Sequence, residues 1–457
     1  MTPTYLGKLS SLPILFGIAT NPLATTRRLH RKHGPYVLLH YPHSRPSRPQ
    51  MLGCIADAEL YRTMYSNLDA WRGVNVAMRA FKNHAASRLS LSMTRLRGAR
   101  HAHYRRLISL PLSKPAVAAM SPDMATVAQR HVQAWPRGEA INVMLLTEHL
   151  MQDLSIKLLF GDDHKRALPI ARKISYAAAA SWPFPGRAYW RWLRTAPKLE
   201  VEIMEWAAQK HGEIDPKDIL SILVNNPDER GEPATRELIG SILIFTFGAT
   251  YETCQNALNW TLLLLSQHRT IAIRLAEEID EAVAGAPPSM DKIGELPLLD
   301  GVLKESMRLF PPIPIGFRRS LSETNLGDIR VPPGLRVLAS AYLINRNPEI
   351  YRDPSRFHPE RWLDLQPSPY DYTVFGAGGR MCPGAAFGTQ MAKIALAAIL
   401  SRYRIELAAG TRINHRTTIT LSPSPALRII FRDKTTMPVA VPFAGTVHEL
   451  VDLPAAM

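Results

Sequence analysis

Acidic side chains are absent from the first 56 residues. Only Asp57, Glu59 and Asp69 precede Asp123, against 18 Lys or Arg in the same span. Over all 457 residues the formal charge is +16, so nearly the whole excess sits in the first quarter of the chain. Such a field attracts anions: nucleic acid, a membrane surface, an acidic protein, or bound phosphates and carboxylates. A solvated basic face accounts for most of these side chains. Cysteine is equally scarce. Cys54, Cys254 and Cys382 are far apart, odd in number and free of any CxxC spacing. That argues against a structural zinc site and a disulfide framework, and it fits a reducing compartment. The N-terminal apolar run "LPILFGIA", set between lysine and proline-bearing segments, falls well short of the ~20 residues of a membrane span. It also lacks the cleavage pattern of a signal peptide. No flavin or nicotinamide fingerprint, zinc finger, RNP motif, basic repeat or internal repeat is visible. Length alone suggests about three domains, but no low-complexity linker divides the chain, so residues 1–457 are read as one domain.

What is present is mostly helix. "NPLATTRRLHRKHGP" reads as a helix stopped by Gly34 and Pro35, "YVLLHY" and "MLGCIA" as strands, and residues 57–65 as a helix capped by Asp57. Residues 69–97 look irregular and basic. "SWPFPGRAYWRW", 181–192, reads as a loop rich in Pro and Trp. The longest helix candidate runs from about Thr235 to Gln267. Its apolar residues cover nearly every face, which places it in the middle of the fold. Helices follow to Ala284 and over about 298–309, the latter stopped by "PPIP". Residues 329–340 and 418–431 are strand-like. The fold class expected is mainly α with small β-sheets.

The stretch "FGAGGRMCPG", Phe375 to Gly384, poses the chemical question. Cys382 stands before Pro383 and a long apolar helix pattern, so its sulfur is expected at a helix N-terminus, where free N–H groups favour a thiolate. Gly376, Gly378, Gly379 and Gly384 allow close backbone approach, including to a flat ligand. Arg380 adds a cation and Phe375 a face. A nucleophilic thiolate would need a local His base, and none is near in sequence. A buried inert cysteine needs neither the glycines nor the arginine. A soft metal ligand fits best, and one lone thiolate points to haem iron.

Phe375-Gly376-x-Gly378-x-Arg380-x-Cys382-x-Gly384 resembles, at every fixed position, the haem-binding signature of cytochrome P450 enzymes. Further stretches extend the resemblance over about residues 20–435. "KESMRLFPP" supplies Glu305 and Arg308, three apart on one helical face. With Arg361 of "FHPERW" they match the family's Glu-Arg-Arg triad behind the thiolate loop; Trp362 stands where the family usually has Phe. "GARHAHYRRL" places His101 and Arg105 on one face. The resemblance implies that they hold a haem propionate together with Arg380 and Arg318, Arg319 being a close rival of Arg318. "FGATYETCQNALNW" matches the small-Gly-x-acid-Thr pattern above the iron through Ala249, Glu252 and Thr253. Thr250 occupies the glycine position, where its hydroxyl can bond back to a carbonyl one turn earlier and bend the helix.

The implied fold holds haem b between the long distal helix and the helix of the proximal cysteine loop, with Cys382 as the iron ligand. The implied activity is monooxygenation: one atom of O2 enters a mostly apolar small molecule such as a terpenoid, fatty acid or aromatic, with Thr253 and Glu252 handling protons. Phe247, Ile313, Pro314, Ile315 and Ser422 are the expected pocket lining. Arg72, Arg79 and Lys82 are candidates to meet an acidic group on the substrate. The chain is expected to be a cytoplasmic monomer without a membrane span, touching a membrane surface at most peripherally, through Trp182, Trp190 and Trp192 beside Arg187, Arg191 and Arg194. Electrons are expected to come from NAD(P)H through an acidic ferredoxin or flavodoxin-like donor on the basic thiolate side, around Arg97 to Lys114. A peroxide-driven or isomerising haem-thiolate enzyme, and a non-catalytic haem sensor, remain as alternatives.

Overall fold

The computed structural model describes residues 1–41, 50–74, 84–90, 93–161, 164–179, 186–212 and 218–454. Helices dominate, and one of them organises the rest. Arg236–Gln267 runs unbroken, opened by Thr235. Leu258, Leu262, Leu263 and Leu264 are fully buried, and so is Trp260. Trp260 stacks on Phe310 with ring centroids 4.2 Å apart, and its Nε1 donates to the Leu421 carbonyl at 2.9 Å. A helix apolar on every face has no intrinsic rotation, so polar pins set it. The Gln255 amide donates to the Met144 carbonyl at 2.8 Å, Thr147 donates to Asn259 at 2.9 Å, and Thr261 to Ser306 at 2.9 Å. Each satisfied buried pair avoids a desolvation cost of about 1–3 kcal/mol that a slipped helix would incur.

A six-stranded sheet lies to one side, in the order Thr4–Leu6, Tyr36–His40, Met51–Ile55, Arg336–Ser340, Ile315–Ser320, Trp71–Gly73. Its register fixes which side chains share a face. Leu38, Val337 and Arg318 point one way, towards Tyr61, Tyr65 and Trp71. Leu39, Leu52, Arg336 and Arg319 point the other way, where the helix Lys8–Thr20 packs through Ile14, Leu15 and Ile18. A three-stranded sheet joins Arg404–Leu407, Arg428–Arg432 and Ala140–Asn142, and the hairpin Asn414–Thr417 with Leu421–Ser424 reaches the central helix.

Most expected elements form. Asp57 caps Ala58–Ser66 through a bond from the Leu60 N–H, and the residues expected to span 298–309 form the helix Pro297–Leu309. The irregular basic stretch holds a strand at Trp71–Gly73, a helix at Ala85–Arg88 and a turn at Met93–Arg95; residues 75–83, with Arg79 and Lys82, lie outside the described residues. Part of the expected Trp-rich loop is instead the start of a helix, Arg187–Gln209. Propensity and amphipathic burial explain this: Trp192 is buried while Trp190 faces out, so the segment has an inner and an outer side. Trp192 is thus removed from any membrane-facing surface, and Trp182 lies outside the described residues. The tail after Phe431, which carried no usable motif, folds back on the core through Val447, Leu450 and Val451 and accepts a bond from Arg346 at the Leu450 carbonyl, 2.9 Å.

Glu305 anchors a dense buried network. It is fully buried and accepts five N–H bonds: two from Arg308 (2.8 and 2.9 Å), and one each from Arg361 (2.9 Å), the Trp362 indole (3.0 Å) and the His358 backbone (3.1 Å). Arg308 spends its remaining N–H groups on the carbonyls of Asn345, Pro354 and Arg356. The tryptophan that replaces the usual phenylalanine therefore supplies a donor as well as a ring. Trp362→Phe should lower unfolding stability by about 1.5–3 kcal/mol, the worth of a bond to a charged group, and Glu305→Ala by about 3–5 kcal/mol through the unpaired buried guanidinium groups. Denaturant midpoints measure both, and a wild-type midpoint for Trp362→Phe would remove the indole from the network.

Candidate functional site

The central helix has one interruption in its burial. Phe245, Gly248, Ala249, Glu252 and Thr253 retain accessible surface at the i, i+3, i+4, i+7, i+8 spacing of a helical stripe, and Thr250 beside it is partly accessible too. Such a stripe in the middle of an otherwise enclosed helix faces an internal cleft. Thr253 donates to the Ala249 carbonyl and Thr250 to the Thr246 carbonyl, each at 2.6 Å. The back-bond expected of Thr250 is therefore present, but the helix continues through it without a break. Thr250 stands at the edge of the stripe, and Gly248, two residues earlier, supplies open space on it: a Cβ there would meet nothing within 4 Å.

Glu252 is held by a residue that sequence reasoning missed. The Thr420 hydroxyl, in the turn of the hairpin, donates to the Glu252 Oε1 at 2.7 Å. Burial pushes the Glu252 carboxyl up, the Thr420 bond and the nearby Arg416 pull it down, and Glu148 adds a smaller upward push. Nothing in the sequence ties position 420 to position 252, because the contact joins segments 168 residues apart.

The cysteine loop meets the same region. Cys254, next to Thr253, sits 3.8 Å from the Gly388 carbonyl on the helix that follows Cys382, and the neighbouring Cys382 raises its pKa further beyond the effect of burial. That helix begins at Ala385 with Gly384 as its cap, two residues later than a Pro383 start would give. The Cys382 sulfur thus precedes the helix proper. It has accessible surface, yet surrounding protein pushes the thiol up, while the Gly384 N–H and Arg105 pull the other way. The depressed thiol expected of a helix N-terminus is not what the protein alone produces; a bound cation would complete the stabilisation of the anion. The Cys382 N–H donates to the Phe375 carbonyl at 2.7 Å, closing the loop. Its glycines are required mainly by the protein. Gly376 and Gly378 have φ of 68° and 62°, and a Cβ on Gly378 would lie 2.2 Å from the Tyr65 carbonyl. A Cβ on Gly379 would lie 2.6 Å from Leu68.

Around the loop stand His101, Arg97, Arg105, Arg318 and Arg380. Burial, together with Arg318, Arg105 and Arg97, lowers Arg380 to about 10, and its Nε is buried with no partner. Burial, with Arg380 and Arg105, lowers His101 to about 4, so its ring is neutral at pH 7 and offers an N–H. No carboxylate answers this cluster among the described residues. Arg318 lies on the sheet face that points here, over the Tyr65 ring at 3.9 Å, whereas Arg319 points to the opposite face. Converging cations of this kind suit a buried dianion, and the bidentate geometry of arginine suits carboxylates. A thiol, an adjoining cation cluster and a cleft under a threonine-bearing stripe together fit haem: Cys382 as the iron ligand, and His101, Arg105, Arg318 and Arg380 for its propionates.

The expected pocket residues do not all reach the cleft. Phe247 is fully buried beside Tyr251, and Ile315 packs in the cluster on the far face of the sheet, since strand alternation sends it away. Pro314 is buried, with its carbonyl accepting from Tyr342. Ile313 is exposed, and Ser422 is buried in the hairpin beside Thr420. Phe245 and Ile419, both accessible, were missed.

The cytochrome P450 family model matches residues 12–430. Pentalenene oxygenase of Streptomyces avermitilis is 37% identical over 191 residues, a match that spans 41% of this chain and 42% of that one. Cyclooctat-9-en-7-ol 5-monooxygenase of Streptomyces melanosporofaciens is 27% identical over 71% of this chain and 75% of its own. Among solved structures, retinoic acid-bound cyanobacterial CYP120A1 superposes with a TM-score of 0.79 at 19% identity, covering 92% of this chain and 96% of its own. The haem domain of cytochrome P450DA gives 0.74 at 20% identity, covering 93% and 94%. These two establish the fold.

Removing the Thr420 hydroxyl takes away a bond that favours the Glu252 anion, so Thr420→Val should move the carboxyl titration to higher pH and Thr420→Ser should restore it. The infrared band of the protonated acid, identified by its loss in Glu252→Gln, reads this in the resting protein. An unshifted band would show that Thr420 does not act on Glu252.

Proposed function

Because the chain belongs to the cytochrome P450 family of haem-dependent monooxygenases, we propose that it hydroxylates a terpenoid hydrocarbon or a sparsely oxygenated terpenoid, with electrons from a separate acidic donor protein. The observation that carries this reading is the single accessible stripe of the buried central helix, which places apolar Phe245 and Ala249 beside Glu252 and Thr253 at the level of the cysteine loop. Relatives named for pentalenene and cyclooctat-9-en-7-ol oxidation support the substrate class.

Haem ligated by a thiolate supplies the electron push that favours O–O cleavage. The chain's own residues do the rest. The Gly384 N–H donates to the sulfur and tempers its charge. Arg105 donates to the Met381 carbonyl at 2.6 Å, holding the loop while its charge faces the propionate cluster. Thr253 directs its proton to the Ala249 carbonyl, which leaves its oxygen lone pairs to receive a bond from water or from a substrate hydroxyl. Glu252 holds a proton at its Oε atoms more readily than an exposed acid would, and the Thr420 bond keeps it oriented between the stripe and the hairpin. Phe245, Ile313 and Ile419 offer apolar contact to the substrate and limit water near the oxidised carbon.

The electron donor is assigned to the surface over the sulfur. Arg106, Leu110, Lys114 and Met381 are exposed there, an apolar centre with a basic rim. This suits an acidic ferredoxin.

The purified protein, reduced under carbon monoxide, should give the Soret band of thiolate-ligated iron, and Cys382→Ser should abolish it. With an acidic ferredoxin and its reductase, cyclic terpene hydrocarbons should gain one oxygen by mass. Arg106→Glu/Lys114→Glu should raise the KM for ferredoxin by roughly ten-fold or more at low salt, and the wild-type KM should rise with ionic strength. Equal turnover driven by peroxide alone, without donor dependence, would favour the peroxide-using alternative.

A further inference from the structure

The outer face of the six-stranded sheet carries a surface that the oxidation chemistry does not use. Strand register lines up Leu6, Leu39, Leu52, Arg336, Arg319 and Arg72 in one rank across all six strands. The first three lie under the helix Lys8–Thr20. The last three are arginines directly opposite one another on neighbouring strands, an arrangement that repels. Arg72 is lowered by burial and by Arg97, Arg319, Arg95 and Arg336 together. Arg336 bonds Tyr41, and no carboxylate pairs with any of the three among the described residues. Beside this row the helix Lys8–Thr20 turns Leu9, Leu12, Pro13 and Phe16 outward as a single apolar stripe, with Leu9 85% and Phe16 70% exposed. No acidic residue occurs anywhere in the first 56 positions.

We propose that this face docks on the surface of an anionic phospholipid bilayer, with Leu9, Leu12 and Phe16 entering the interface and Arg72, Arg319 and Arg336 meeting headgroup phosphates. Both halves of the surface are needed to identify the occupant. A free anion would answer the arginines and leave the apolar stripe in water. A second copy would cover the stripe but bring the same cationic rank and a +16 chain against it. A bilayer with acidic headgroups offers both an apolar layer and a dense anionic plane. The helix lies on the surface and does not cross: among the described residues no helix is long and apolar enough to span.

Co-sedimentation of the full chain with vesicles tests this. The protein should bind vesicles of phosphatidylcholine mixed with phosphatidylglycerol and stay in solution with phosphatidylcholine alone. Arg319→Gln/Arg336→Gln should weaken binding roughly five-fold per arginine at low salt, and Leu9→Ser/Phe16→Ser roughly ten-fold or more. The single variant Leu9→Ser, at a position that touches little else, serves if the double variant fails to fold; melting midpoints and the Soret band verify folding. The proposal is overturned if wild type ignores the mixed vesicles at low salt, or if both sets of variants bind as wild type does. It is equally overturned if gel filtration shows a dimer that Leu9→Ser dissolves, which would assign the face to a second copy. These readouts do not depend on turnover, so they stand or fall apart from the terpenoid reading.

Discussion

A single buried carboxylate fixes the geometry on which the thiol depends. Glu305 has no contact with solvent and would be prohibitively costly there as a lone anion. Five N–H donors make it tolerable, and they come from the helix before "PPIP" and from the segment at 358–362. Arg308 then extends the network to the carbonyls of 345, 354 and 356, so a meandering stretch with almost no secondary structure acquires a definite path. Asn345 carries the constraint onward. Its side chain accepts from both the backbone and the hydroxyl of Thr373, two residues before Phe375. The loop that holds Cys382 is therefore positioned by charge burial at Glu305, far upstream in the chain, and its own glycines seat it against Tyr65 and Leu68.

How much of this the chain announces depends on the range of each interaction. The central helix, the cysteine helix and the Glu-Arg pair at 305 and 308 are local patterns, and they stand where periodicity and spacing place them within a residue or two. The Cys382 sulfur environment is less legible. A start at Pro383 and an actual start at Ala385 differ by two residues, enough to take the thiol off the helix end and let burial dominate its titration. Pocket residues are harder again. Phe247 and Ile315 are apolar and close in sequence to accessible positions, but rotation about a helix and alternation along a strand decide which way each points. Thr420 is invisible because its partner lies 168 residues away, and Trp362 reads as a mere aromatic substitution until its indole N–H is seen on Glu305.

The choice between Arg318 and Arg319 shows what register adds. Adjacent arginines in a strand must face opposite ways. Val337 lies opposite Arg318, and the first belongs to the inner cluster with Tyr65; hence Arg318 joins Arg380 near the sulfur loop. Arg319 is thereby committed to the outer rank with Arg72 and Arg336. One dipeptide thus presents a cation to each side of one sheet.

That division explains why the charge is concentrated so early in the chain. The first 122 residues supply the cap and body of the helix that bears His101 and Arg105, the edge strand with Arg72, and the exposed cations Arg106 and Lys114. Three cationic groups result: a buried cluster beside the cysteine loop, a basic rim over the sulfur, and an outer row on the sheet. Arg97 bridges the first and the last, since it acts on both Arg380 and Arg72. Like charges held this close lower one another's affinity for protons and raise the free energy of the fold unless anions arrive. Acidic side chains within the same segment would relieve that strain and also compete with every external partner. Their scarcity keeps the cations available, at a cost in stability that burial elsewhere, around Glu305 and along the central helix, offsets.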